Sequence, residues 1–243
     1  FIAFGHPVRA IKAFPDMFKA LTSEKGRFAV EMEIKQRPNY HLYEQTKLYL
    51  PEHGAQTLSK MEEAYMSRLS GKIPGLAASE RAYTSFLNRL RADSFDAMAK
   101  NLSNGTIGEL KAIANFVNVA TGRGAIGSRQ GIVNSFAYMN GVFFAPRYVL
   151  SRFQMVIGEP IWRNIKDSGR AKTMIAKEYA RFFTGLAVVY ALGSAAGGEI
   201  ETDHRSSDFG KIRFGETRLD PMAGFSQTAG VLARIGTVAT NKL

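Results

Sequence analysis

Residues 106–127 constrain the fold more than any other stretch. Thr106-x-x-Glu109 is a capping box, in which the two side chains satisfy free backbone N–H groups at a helix start. Leu110, Ile113, Phe116 and Val117 then recur at helical spacing, which predicts a helix running to about Ala120. That helix delivers the chain into Gly122-x-Gly124-x-x-Gly127, the spacing of a loop that cradles a dinucleotide's pyrophosphate. Such a loop needs a strand before it, a helix after it, and an acidic residue at a strand end about 20 residues further on. Here a helix comes first and the acidic residue is missing. Residues 121–131 are therefore expected to form a basic connection between helices, with no bound nucleotide.

Helical periodicity dominates the remainder. Val8, Ile11, Phe14, Phe18 and Leu21 recur at intervals of three and four, predicting an amphipathic helix over 6–21, kinked at Pro15. Ser23–Lys35 reads as a second helix, stopped by Arg37-Pro38. Tyr40, Tyr43, Leu48 and Leu50 suggest a short third one before Pro51, and Ser59-x-x-Glu62 is another capping box. After the break at Lys72-Ile-Pro-Gly75, Ala78–Asn101 is a long helix with Tyr83, Phe86, Leu90 and Phe95 on one side and Arg81, Arg89 and Arg91 exposed. Asn101-x-Ser103 and Asn104-x-Thr106 match the glycosylation sequon but read as turn and cap residues.

Gln130–Pro146 and Phe182–Gly198 are each 17 residues without a charge, short of the roughly 20 apolar residues that span a bilayer. Three readings stay open for them: helices buried in the core, helices in close contact with a neighbouring subunit, or segments released to lipid on delivery. Phe182, Gly185, Ala187, Ala191 and Ser194 are the contact candidates, because small residues let helices approach closely. The burial reading is favoured for Phe182–Gly198, within the domain or against a neighbour.

Further along, Asp208–Asp220 reads as a hairpin turning at Gly215-Glu216, about 211–220 in extent. Its register places Phe214 opposite Thr217, Arg213 opposite Arg218, Ile212 opposite Leu219 and Lys211 opposite Asp220. Two facing arginines require an anion: Asp203 or Asp208 from the preceding loop, or a phosphate or partner carboxylate.

The net charge of +11 favours anionic partners. Residues 123–181 alone carry net +7. Arg123, Arg129, Arg147, Arg152, Arg213 and Arg218 are the candidate DNA or anion contacts. Without cysteine there is no disulfide or thiolate metal site. His6, His41, His53 and His204 lack metal-ligand spacing, and Asp93 and Asp96, on one helix face, read as solvated. Neither a phosphate-binding Walker loop nor a nucleophile elbow is present. The expectation is a non-enzymatic protein with no cofactor, no metal and no small-molecule substrate. Its fold class is mainly α, a multi-helix bundle-like domain with a small C-terminal β-hairpin. Three regions are expected: 1–105 helical, 106–200 basic and helical with the two uncharged helices, and 201–243 holding loop, hairpin and C-terminal helix. The opening Phe1-Ile-Ala-Phe reads as mid-domain sequence, so the chain is taken as a piece of a longer polypeptide.

Five stretches, "IKQRPNYHLY" (34–43), "ASERAYTSFLNRLRADSFD" (78–96), "ELKAIANFVNVATGRG" (109–124), "NGVFFAPRYVLSRFQ" (140–154) and "ETDHRSSDFGKIRFGETRLDPMAGFSQ" (201–227), occur in one order. Together they resemble a large polyvalent protein-associated domain of tailed phages and prophages. Gly122, Arg123, Gly124, Pro146, Arg147, Arg152, Asp203, Arg205, Ser206, Asp208 and Gly210 are the shared positions. The resemblance implies a non-enzymatic module, usually C-terminal in very long phage proteins that are packed in the virion and delivered with the genome. It implies partners among copies of itself and other virion proteins of the portal or core, with DNA and the host membrane as further partners during delivery. It implies a location in the virion interior, then in the host envelope or cytoplasm. The alternative is a DNA- or membrane-binding module of a delivered effector whose catalytic domains lie elsewhere on the polypeptide.

Overall fold

The computed structural model describes residues 1–51, 75–125, 146–222 and 225–240. In chain order the helices are α1 (Ile2–Gly5), α2 (Pro7–Thr22), α3 (Glu24–Lys35), α4 (Tyr40–Thr46), α5 (Leu76–Lys100), α6 (Ile107–Ala120), α7 (Pro146–Val156), α8 (Glu159–Trp162) and α9 (Gly169–Ala195). Three short strands follow, β1 (Glu199–Ile200), β2 (Ile212–Phe214) and β3 (Thr217–Leu219), and then α10 (Phe225–Thr240). The chain is mainly helical with a small antiparallel sheet near its C-terminus, as expected. The Ser59 capping box, the segment 130–145 and Arg129 lie outside the described residues.

Helix α6 is the axis of the fold. Leu110, Ala112, Ile113, Ala114, Phe116, Val117 and Val119 are all buried, and a helix apolar on nearly every side belongs in a core. Around it pack α4, α5, α7, α8 and α9. The buried cluster draws on residues from Ile2 to Phe225, so the three predicted regions share one core. Its capping box forms as read: Glu109 N donates to Thr106 Oγ1 at 3.2 Å, and Thr106 N donates to Glu109 Oε2 at 2.8 Å. The Thr106 hydroxyl also donates to the Asp167 carbonyl at 2.8 Å, tying the helix start to the loop before α9.

Arg170 completes this junction as a fork, with Nε and Nη2 each 2.6 Å from a different Glu109 oxygen. These hydrogen bonds hold the buried Glu109 carboxyl below the usual carboxylate range, outweighing burial, with the Thr106 N–H assisting. A depressed folded-state pKa contributes stability above the unfolded value of about 4.3 and loses it as pH falls through the folded one. The melting temperature is therefore expected to fall more steeply below about pH 5 in the wild type than in Glu109→Gln. Thermal melts at neutral and acidic pH check this. Parallel falls in the two proteins would contradict it.

At the other end of α6 the glycines act as geometry. Gly122 has φ +91°, and Gly124 N donates to the Arg147 carbonyl at 3.0 Å, so closely that a Cβ at 124 would stand 2.7 Å from that oxygen. The chain thus leaves one helix and is held against another.

Helix α2 forms where predicted and continues through Pro15, with its large apolar residues facing outward. Val8 and Ile11 are each 63% exposed, and Phe14, Phe18 and Leu21 are exposed as well. The buried side is Ala10, Ala13, Asp16 and Ala20, with Ala13 at 0%. The reason lies in the partner. The groups that α5 brings to α2 are polar: Arg81 Nε donates to the Ala20 carbonyl and Ser94 Oγ accepts from Arg9, both at 3.4 Å. Alanines let the two backbones come close, and Asp16 meets Arg89 at 3.2 Å.

Helix α5 departs from its predicted faces. Tyr83 is exposed, while Arg91 is buried, its Nε donating to Thr121 Oγ1 at 2.8 Å and its guanidinium 5.0 Å from the Tyr49 ring centre. Leu90 and Phe95 are buried as expected.

The hairpin takes the predicted register, Ile212↔Leu219, Arg213↔Arg218 and Phe214↔Thr217. Sequence reasoning missed β1, which pairs Glu199 with Arg213 and Ile200 with Ile212. In the hairpin Ile212 is buried, whereas its neighbours across the ladder, Thr217 and Leu219, are exposed. Ile212 seats against Gly193 and Gly198, where a Cβ would come within 2.6 Å of it.

Candidate functional site

Among the described residues, the predicted anion contacts each touch groups within the chain. Arg123 lies over the Tyr49 ring, 3.8 Å from its centre. Arg152 lies 4.1 Å from the Phe225 ring centre and 4.5 Å from that of Tyr148, to whose hydroxyl it also bonds. Arg147 contributes its carbonyl to the Gly124 contact. The anion required between the hairpin arginines comes from within the chain. Arg218 Nε meets Asp208 Oδ2 at 2.6 Å, Lys211 Nζ meets Asp208 Oδ1 at 2.8 Å, and Arg213 pairs with Glu199. Lys211 and Arg218 hold the Asp208 carboxyl below its usual range.

The contact candidates of the second uncharged segment divide. Phe182 is 4% exposed and stacks on Phe1 with ring centres 4.3 Å apart, and Leu186 is buried too. Beyond that turn the helix leaves the core. Ala187, Ala191 and Ser194 are exposed, as are Phe183, Val188 and Leu192, the last at 66%. Burial of the whole segment within the domain is therefore corrected: α9 is anchored through Leu186, and its last turns present an apolar face outward. Among the described residues no helix is long and apolar enough to cross a membrane.

A basic groove assembled from three helices was not anticipated. Its first part is a cavity of about 620 Å³ lined by His6, Arg9, Lys12, Asp93, Asp96 and Lys100. The second, about 400 Å³, is lined by Asn101, Arg170, Lys177, Glu178 and Arg181 among others. The two parts meet where Lys100 precedes Asn101 and where His6 Nε2 lies 2.5 Å from Glu178 Oε2. Arg181 holds the other Glu178 oxygen, also at 2.5 Å. Burial pushes the Glu178 carboxyl upward, but His6 and Arg181 hold it below the usual range.

Asp93 and Asp96 are not solvated, contrary to the sequence reading. Arg37 bridges them at 2.8 and 3.1 Å, Arg89 adds a contact to Asp93 at 3.1 Å, and Tyr43 donates to Asp96 at 2.6 Å. Both carboxylates are thus compensated from the α3–α4 side. Across the groove the cations are not. Among the described residues no ion pair joins Arg9, Lys12, Lys100 or Lys177 to a carboxylate. Arg9 is half-buried, donates only to Ser94 Oγ at 3.4 Å, and burial pushes its guanidinium below its ordinary value. The available sequence signals were Arg9-x-x-Lys12 and Arg170, Lys177, Arg181 at helix spacing.

A second feature borders the groove at Val8. The outward stripe of α2 continues onto α3, where Phe28 and Met32 are exposed. Among the described residues, Phe14 is the member of the stripe with a ring partner, Phe86 at 5.3 Å between centres. Among the described residues, no group of three or more His, Asp or Glu residues is placed to hold a metal ion. Comparison with protein-family models, with curated proteins and with solved structures finds no match for this chain.

Proposed function

We propose that this chain is a non-enzymatic assembly module of a phage protein packed in the virion interior and delivered with the genome. The observation that carries the reading is the orientation of α2, which buries alanines and turns Val8, Ile11, Phe14, Phe18 and Leu21 outward. Contiguous exposed apolar surface of this kind is uncommon on a protein that works alone, and it marks an interaction site. Its occupant in this reading is a second copy of the chain, with portal or core proteins as further neighbours. The outward face of α9 around Val188 and Leu192 supplies a second contact of the same chemistry. The five-motif resemblance to the phage domain agrees with such a role.

Sedimentation velocity tests it. The wild-type chain is expected to associate with rising concentration, and Ile11→Glu/Phe18→Glu to remain monomeric with the same helix content. A wild-type chain that stays monomeric up to its solubility limit would remove this reading.

A further inference from the structure

We propose that the groove of His6, Arg9, Lys12, Lys100, Lys177 and Arg181 holds the phosphate backbone of DNA. The inference is independent of the assembly reading, because it uses a different surface and different chemistry. Its starting point is an imbalance. The carboxylates that line the first cavity, Asp93 and Asp96, are already engaged by Arg37, Arg89 and Tyr43 from behind. Glu178 is engaged by His6 and Arg181. Among the described residues, the groove cations that no ion pair joins to a carboxylate are Arg9, Lys12, Lys100 and Lys177.

Arg9 shows that the imbalance is structural rather than a matter of solvated side chains. A half-buried guanidinium has lost part of its hydration, and that loss is offset only by a paired anion or several hydrogen bonds. Arg9 has a single long contact to a serine hydroxyl. Glu178 and Asp93 favour its charge without an ion pair and do not offset burial, so an anion entering the cavity would supply a direct partner.

The spread of charge favours a polymer over a small anion. Both cavities open to solvent, and their linings adjoin at Lys100–Asn101. The cations without an ion pair come from three helices, Arg9 and Lys12 of α2, Lys100 of α5 and Lys177 of α9. Duplex DNA presents one negative charge per about 1.7 Å of its axis, so it can bring a phosphate to each of several cations spread over two adjoining cavities. With no base-reading array in the groove, binding is expected to be indifferent to sequence and strongly salt-dependent.

The test is fluorescence anisotropy with a short random-sequence duplex over a range of salt concentrations. Lys12, Lys100 and Lys177 are exposed and form no ion pair, so Lys12→Gln/Lys100→Gln/Lys177→Gln should leave folding intact. That variant is expected to lower the slope of log affinity against log salt by about 2–3, at roughly 0.9 for each phosphate that is no longer neutralised. Lys25→Gln/Lys47→Gln/Lys111→Gln removes the same charge elsewhere on the surface and is expected to keep the slope. Equal slopes for the two triple variants, or no DNA binding by the wild type, would overturn the proposal. So would a groove variant that loses binding to phosphatidylglycerol vesicles but not to DNA, which would assign the groove to a lipid headgroup. Displacement of DNA by millimolar inorganic phosphate at constant ionic strength would overturn it in favour of a free-phosphate site.

Discussion

Gly108→Ala is expected to destabilise the chain by about 2–3 kcal/mol, although the same change inside a helix ordinarily stabilises by about 1 kcal/mol. Gly108 is the second residue of α6, and a Cβ there would stand 2.0 Å from the Lys166 carbonyl oxygen and 3.1 Å from that of Asp167. Both obstacles are backbone, so no side chain can swing aside. Nor is the loop free to retreat. The Asp167 carbonyl accepts from the Thr106 cap, and Arg170, three residues on, forks onto Glu109. Moving the loop breaks the junction that fixes α9 against α6. For a chain of this size the loss corresponds to a melting temperature lower by about 4–12 °C. Thermal denaturation at neutral pH measures it. A variant that melts at or above the wild-type temperature would show that the α6–α9 junction yields.

What the sequence made legible was local. The capping box at Thr106 and Glu109 needs only four consecutive residues, and the hairpin register follows from the Gly215-Glu216 turn because strand partners are counted outward from it. Both appear in the structure as read. The groove could not be read this way. Arg9, Lys100 and Lys177 are separated by about 80–90 residues, and nothing in the chain near any one of them points to the others. The same holds for Arg37, which reaches Asp93 and Asp96 from a different helix. Periodicity identifies a helix and its stripes, but the neighbouring element decides which stripe is buried. For α2 that neighbour is α5, which meets it through Arg81, Arg89 and Ser94. For α9 the core ends at Leu186, so absence of charge in the segment beyond did not mean burial.

The orientation of α2 therefore bears the most weight, and it leads to the second large effect. Ala13 is fully buried, while Ile11, two residues earlier, projects outward. Glutamate at 13 would place a carboxylate against a closely packed helix with no partner prepared for it, a cost of about 3 kcal/mol or more. Glutamate at 11 would enter solvent, where substitutions usually stay within about 0.5 kcal/mol. One chemical change at two neighbouring positions thus distinguishes the two faces of the helix without reference to any partner. Urea denaturation of Ala13→Glu and Ile11→Glu, at a concentration low enough to keep the chain monomeric, is the direct measurement. The expected result is a large drop in midpoint for Ala13→Glu and a midpoint near wild type for Ile11→Glu. The reverse order would place the large apolar stripe inside, and with it gone the assembly surface would go too.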